Sequence, residues 1–175
     1  MSCFFISLHI KKEAMNKSKP LRGPLLCWDI YGMHLAEQSI NFNKQIEIDF
    51  LKAYKNKFGW VLNIEKLITE NDFEALVLTD FNQEIKWVSK GFTKMTGYPA
   101  NFAKGKKPNF LQGKDSSEEA VKSIRVSLKA DKPFKEEIIN YKKNGDAYKC
   151  EIKIYPLKDE SNKTTHLLAL EKQIT

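Results

Sequence analysis

Residues 134–157 read FKEEIINYKKNGDAYKCEIKIYPL, two alternating runs on either side of Asn144 and Gly145. A strand's period of two puts Ile138 and Asn140 on one face and Ile139 and Tyr141 on the other. Asn-Gly is the pair best able to take the positive φ values of a tight primed turn, so the stretch predicts a β-hairpin. Downstream, DESNKT (159–164) supplies another turn and THLLALEKQ (165–173) a third antiparallel strand. Upstream, EALVLTD (74–80) and EIKWVS (84–89) are two strands joined by a turn over Asp80 to Gln83.

What lies between the two strand groups is helical. KGFTKMTGYPANFAKGKKP (90–108) is broken by Gly97, Pro99, Gly105 and Pro108, which allows only short helical pieces. SEEAVKSIRVSLKA (117–130) is a longer helix with an apolar stripe of Val121, Ile124 and Leu128 and with Glu118 and Glu119 in its first turn. Asp115 or Ser116 is expected to cap it, and it should end near Asp131, before Pro133. The order predicts an α+β fold: a five-stranded antiparallel sheet with short helices on one face.

Three segments follow along the chain. Residues 1–24 are expected to be a flexible leader, 25–69 a helical extension, and 70–175 the sheet domain. In the extension, Ile46, Phe50, Leu51 and Tyr54 fall on one face of an amphipathic helix of roughly four turns, closed by Gly59. A short helix is expected over NIEKLITEND (63–72). Trp28 and Trp60 are expected to pack these helices onto the sheet. Lysines follow the apolar start of MSCFFISLHIKK, so no export signal is expected there, and Met15 is an alternative start.

Composition excludes several functions. The net charge of +7 comes from dispersed lysines with few arginines, which predicts a solvated surface and no nucleic-acid partner. No window approaches a membrane span, so a cytoplasmic protein is expected. Cys3, Cys27 and Cys150 form no CxxC pair, and His9, His34 and His166 are scattered, so free thiols and solvated or incidental histidines are expected and no metal site. No phosphate loop, GxSxG or HExxH is present, and an enzyme is not expected.

ALVLTDFNQEIKWVSKGFTKMTGY, then FLQG, then INYKKNGDAYKCEIKIYPL together resemble a PAS domain over about residues 70 to 173. Within that family the chain is most similar to the light-oxygen-voltage branch, whose flavin-binding signature has the form Gly-x-Asn-Cys-Arg-Phe-Leu-Gln. In GKKPNFLQG (105–113) Pro108 stands where that branch has the cysteine that bonds excited flavin. Proline has no thiol, so the resemblance implies that the adduct cannot form there. Matches to the branch remain at Gln112, at Arg125, a phosphate-contacting position, and at Asn140, one of two strand asparagines that bond the flavin ring edge. Departures are Lys107, Asn109, Cys150 at the second asparagine and Glu171 at about the position of a signalling glutamine.

Each buried polar edge left unpaired costs about 1–3 kcal/mol, so these departures predict no bound cofactor. Gln112 either orients a ligand or fixes its loop, and Asn140 is favoured as a pocket group. The leading expectation is a stand-alone, non-catalytic sensory or interaction module that responds to a small ligand or partner. Its output surface would be the exposed sheet face or the helix around 44–57, read by a histidine kinase or regulator as the resemblance implies. The alternatives are a flavin (FMN) sensor of light or redox state without the adduct, and a ligand-free dimerisation module with a filled core.

Overall fold

The computed structural model describes residues 26–174; the leader expected over 1–24 lies outside them. Helix α1 spans Leu26–Phe58, 33 residues against the roughly four turns expected. Nothing in the run breaks it, because it holds no proline and Gly32 is its one glycine. Gly59 closes it at φ 65°, and the Trp60 N–H reaches back to the Lys55 carbonyl at 3.1 Å. By backbone contacts the chain divides within this helix, into a unit ending at Lys44 and a unit Gln45–Thr175. In the first, Ile30, Tyr31, Met33, Leu35 and Phe42 are exposed.

In the second unit the C-terminal part of α1 continues into α2, Ile64–Glu70, capped by Asn63, whose Oδ1 accepts the Lys66 N–H at 3.0 Å. Strands β1 (Ala75–Asp80) and β2 (Ile85–Val88) follow. Next come α3 (Lys90–Thr96), α4 (Ala100–Ala103), a 3₁₀ turn at Pro108–Leu111 and α5 (Glu118–Lys129). Strands β3 (Phe134–Tyr141), β4 (Ala147–Lys158) and β5 (Thr164–Ile174) complete one antiparallel sheet of order β2-β1-β5-β4-β3. The five-stranded α+β architecture is the one the sequence predicts.

Local details differ where tertiary contacts decide them. The hairpin is joined by a type I turn with glycine at its left-handed fourth position, not by a primed turn. Only Gly145 takes positive φ, 91°, and its N–H bonds the Lys142 carbonyl at 2.9 Å. Asn144 stays at negative φ and uses its side chain locally, its Nδ2 donating to Asp146 at 2.7 Å. Ser117, not Asp115 or Ser116, caps α5, accepting the Ala120 N–H. Ser116 is taken up elsewhere: its hydroxyl accepts from Gly113 N–H and donates to the Ile139 carbonyl. Asp115 accepts from the Tyr141 hydroxyl at 2.5 Å, which ties the loop before α5 to β3.

Both faces of the sheet are covered, which corrects the expectation of an exposed sheet face. The inner face packs Val77, Ile85, Ile138, Cys150 and Ile152 against Phe92, Met95 and Leu111 from the short helices. The outer face packs Leu76, Leu78, Leu157, Leu168 and Leu170 against Ile48 and Leu51 of α1, Trp60, and Ile64 and Ile68 of α2. The buried edge of α1 therefore runs through Ile48 and Leu51, while Ile46, expected on it, is 44% exposed. Phe50 stacks on Trp87 with ring centres 4.6 Å apart, and the Trp60 indole donates to Thr165 Oγ1 at 2.9 Å. Trp60 thus packs as expected; the side chain of Trp28 lies outside the described residues.

His166, expected as solvated or incidental, is buried on this outer face, its ring 4.4 Å from that of Phe58 and 5.2 Å from that of Trp60. Burial holds its pKa below the usual imidazole value, opposed by the charge of Asp80. Among the described residues no helix is long and apolar enough to cross a membrane.

Candidate functional site

The inner face of the sheet does not close completely on its helices. A cavity of about 450 Å³ remains between β1, β5, β4 and β3 on one side and the 3₁₀ turn and α5 on the other. That volume lies within the range of small-molecule sites. Its apolar wall comes from Val77, Ile138, Ile152 and Ala169 on the sheet and from Leu111, Val121, Ile124 and Leu128 opposite. The stripe predicted on α5 is present, and it is only half-buried because it faces this space.

The three predicted site residues all line the cavity. Asn140 sits on β3 in register with Tyr148 and is 3% exposed. Strand alternation places it beside Ile138, as its sequence spacing predicts. Gln112 is half-buried at the C-terminal end of the 3₁₀ turn, in extended backbone. Arg125 is exposed on α5, where its guanidinium stays solvated at the cavity rim.

The neighbours of Gln112 show why this loop holds its shape. Pro108 occupies the first position of the 3₁₀ turn, where its missing N–H costs nothing, and Leu111 is 2% exposed in the core. A side chain at Gly113 would meet the Tyr141 ring at 2.4 Å, so that glycine allows Tyr141 to lie across the loop. Lys107 and Asn109, two of the departures, also line the cavity but are exposed.

Two cavity residues carry buried polar atoms that no protein group satisfies: Thr79 Oγ1 and Glu171 Oε2. Such orphans are few in folded proteins and mark places where something else completes the bonding. Thr79 was missed at the sequence level because a threonine in ALVLTD reads as an ordinary strand residue. Glu171 was noted only as a departure. It stands between Ala75 and Ile152 on the inner face and is 3% exposed.

Burial pushes the Glu171 carboxyl up to about 7. With a pKa raised above its unfolded value, the group favours the fold fully at pH below the ordinary carboxylate range. That contribution is lost as pH rises through about 7.

Cys150 is fully buried in the inner cluster, but it is not among the residues that line the cavity. Burial first, and then the charge of Glu171, push its thiol well above the usual range. Tyr148 is raised in the same way, by burial and then by Glu171. Among the described residues no group of three or more histidine, cysteine or carboxylate side chains is placed to hold a metal.

The model of the PAS domain matches residues 74–175. A blue-light-activated histidine kinase of Brucella canis is 32% identical over 91 residues, which are 52% of this chain and 19% of that protein. Phototropin-1B of Oryza sativa subsp. japonica is 31% identical over 108 residues, 62% of this chain and 12% of that protein. The chain therefore spans less than a fifth of the length of either relative. Among solved structures, the light-state LOV domain of the blue-light photoreceptor Aureochrome1 superposes with a TM-score of 0.58 at 22% identity, covering 65% of this chain and 90% of that one. A LOV domain from the Erythrobacter litoralis EL346 blue-light-activated histidine kinase gives 0.55 at 24% identity, covering 59% and 97%. Strand order, the inner cavity and the family match over residues 74–175 agree, and the chain belongs to the PAS domain family.

Proposed function

We propose that this chain is a sensory PAS module that binds a flavin without a covalent bond and signals by the ligand's occupancy or redox state. The observation that carries this reading is the cavity, in which an apolar wall surrounds Asn140 and the unsatisfied Thr79 and Glu171. It counts against the filled-core alternative. The similarity to a blue-light-activated histidine kinase and to a phototropin favours flavin over other flat ligands. Asn140, Gln112 and Thr79 would pair with the ring edge, and Arg125 at the rim would meet a phosphate. The flavin itself would supply absorption of blue light and readily reversible reduction.

No adduct follows from this arrangement. Pro108 offers no thiol, and the protonated Cys150 lies outside the cavity lining. Illumination of flavin-loaded protein is therefore expected to leave no thermally reversible bleaching of the flavin band. The test of the reading is binding: riboflavin or FMN should quench on titration and leave with the protein on gel filtration. Protein that binds neither would overturn it. Asn140→Leu is expected to weaken binding by roughly 5- to 150-fold, the cost of one unpaired ring-edge group, while the thermal midpoint stays close to wild type. An unchanged affinity would remove Asn140 from the site.

Strand β5 supports a route from cavity to surface. Leu167, Ala169 and Glu171 face the cavity, and the alternate residues Leu168 and Leu170 pack on the outer cluster with Ile48, Leu51 and Trp60. A ligand that favours one arrangement of β5 would shift the seating of α1 by its differential affinity. A histidine kinase or regulator is the proposed reader.

A further inference from the structure

We propose that Glu171 is the group that makes this cavity selective: it stays neutral and donates its proton to an acceptor atom, a carbonyl oxygen or imine nitrogen, on an uncharged flat ligand. The inference rests on the flavin-type reading above and adds what the site demands of its ligand. Three geometric facts support it. Glu171 is 3% exposed, it lines the cavity, and its Oε2 has no protein partner. Its backbone carbonyl is already engaged by the Glu74 N–H at 2.8 Å, so the side chain alone points to an unmet need.

The groups around it do not favour an ionised carboxylate. On β4, Cys150 and Tyr148 stay neutral and bring no positive charge to offset an ionised Glu171, and Glu74 before β1 has the same sign as the carboxylate. The cations that line the cavity, Arg125 on α5 and Lys107 before the 3₁₀ turn, are exposed at its rim, and none of the ion pairs among the described residues includes Glu171. A carboxyl buried without a countercharge keeps its proton, and burial raising its pKa to about 7 agrees with this. A neutral acid then has one O–H to give, and a ligand acceptor within reach satisfies both partners. Ionisation removes that donor and sets a lone pair against the ligand's own, so affinity should fall as the carboxyl titrates.

Riboflavin is the probe of choice, because it has no phosphate whose own titration would confuse the profile. Its affinity for wild-type protein is expected to be level near pH 6 and to fall about tenfold per pH unit once the carboxyl has ionised, while Glu171→Gln varies less than about twofold over the same range. Infrared spectra of the ligand-free protein provide a separate readout. A protonated-carboxyl band present near pH 6 should vanish by about pH 9 and be missing from Glu171→Gln. A flat wild-type affinity profile, the same slope in Glu171→Gln, or no protonated band would each overturn the role of Glu171 while leaving the flavin reading intact. No riboflavin or FMN binding at any pH would instead remove the flavin reading, and this inference with it.

Discussion

Gly91→Ala is expected to cost more than about 4 kcal/mol and to leave little folded protein at ordinary temperature, the largest effect of any substitution considered. A Cβ at Gly91 would lie 1.8 Å from the Glu74 carbonyl oxygen and 2.9 Å from its carbon, both backbone atoms that no rotamer change can clear. The crowding is built by the start of α3. Ser89 caps that helix and is tied to β1 twice, its N–H to the Leu76 carbonyl at 2.9 Å and its Oγ to the Leu76 N–H at 2.9 Å. Relieving the clash means pulling α3 off β1, which breaks those bonds and withdraws the fully buried Phe92 from the inner core. Gly32→Ala is the control, because a Cβ there meets nothing within 4 Å. In a helix interior it should be neutral or stabilise by up to about 1 kcal/mol. Urea unfolding of the two variants compares them, and a Gly91→Ala protein as stable as wild type would refute the packing argument.

Leu76→Ala is expected to lose about 2–5 kcal/mol, through the transfer free energy of the side chain and the cavity it leaves. Leu76 is fully buried, but it faces the outer cluster, under α1 and α2. Its loss should therefore loosen the helical covering first. Amide exchange along α2 and the C-terminal half of α1 is expected to speed up more than exchange in β3 and β4. Riboflavin affinity should change little, because Leu76 does not line the cavity. Neighbouring Val77 points the other way and does line it, so Val77→Ala should cost less stability and disturb binding more. Equal effects of the two substitutions on binding would show that the faces of β1 are not separated as described.

Much of this was readable from local pattern. Alternation in FKEEIINY placed Asn140 beside Ile138, and both are buried on the inner face. Asn-Gly announced a hairpin, but in the turn only Gly145 takes positive φ, and the Asn144 side chain is bonded to Asp146 instead. Of the three polar residues before α5, sequence could not choose the cap. The decision rests with partners 23 and 26 residues away: Ile139 takes Ser116 and Tyr141 takes Asp115, which leaves Ser117.

The site divides along the same line. Pro108 and the matches at Gln112, Arg125 and Asn140 are statements about residue type, legible without coordinates, and the three matches do meet around one cavity. Their degree of burial is not legible, and it separates a buried Asn140 from a solvated Arg125.

By itself, then, the order of residues determined the strands, the helices and the family likeness, because period, capping and turn chemistry act over a few neighbours. Tertiary structure alone decided which sheet face Ile48, Leu51, Trp60, Ile64 and Ile68 cover, that the inner face keeps a cavity, and that Glu171 is buried there without a countercharge. The reason is that the free energy of a charge depends on which distant groups exclude water from it, and no short stretch of sequence contains them.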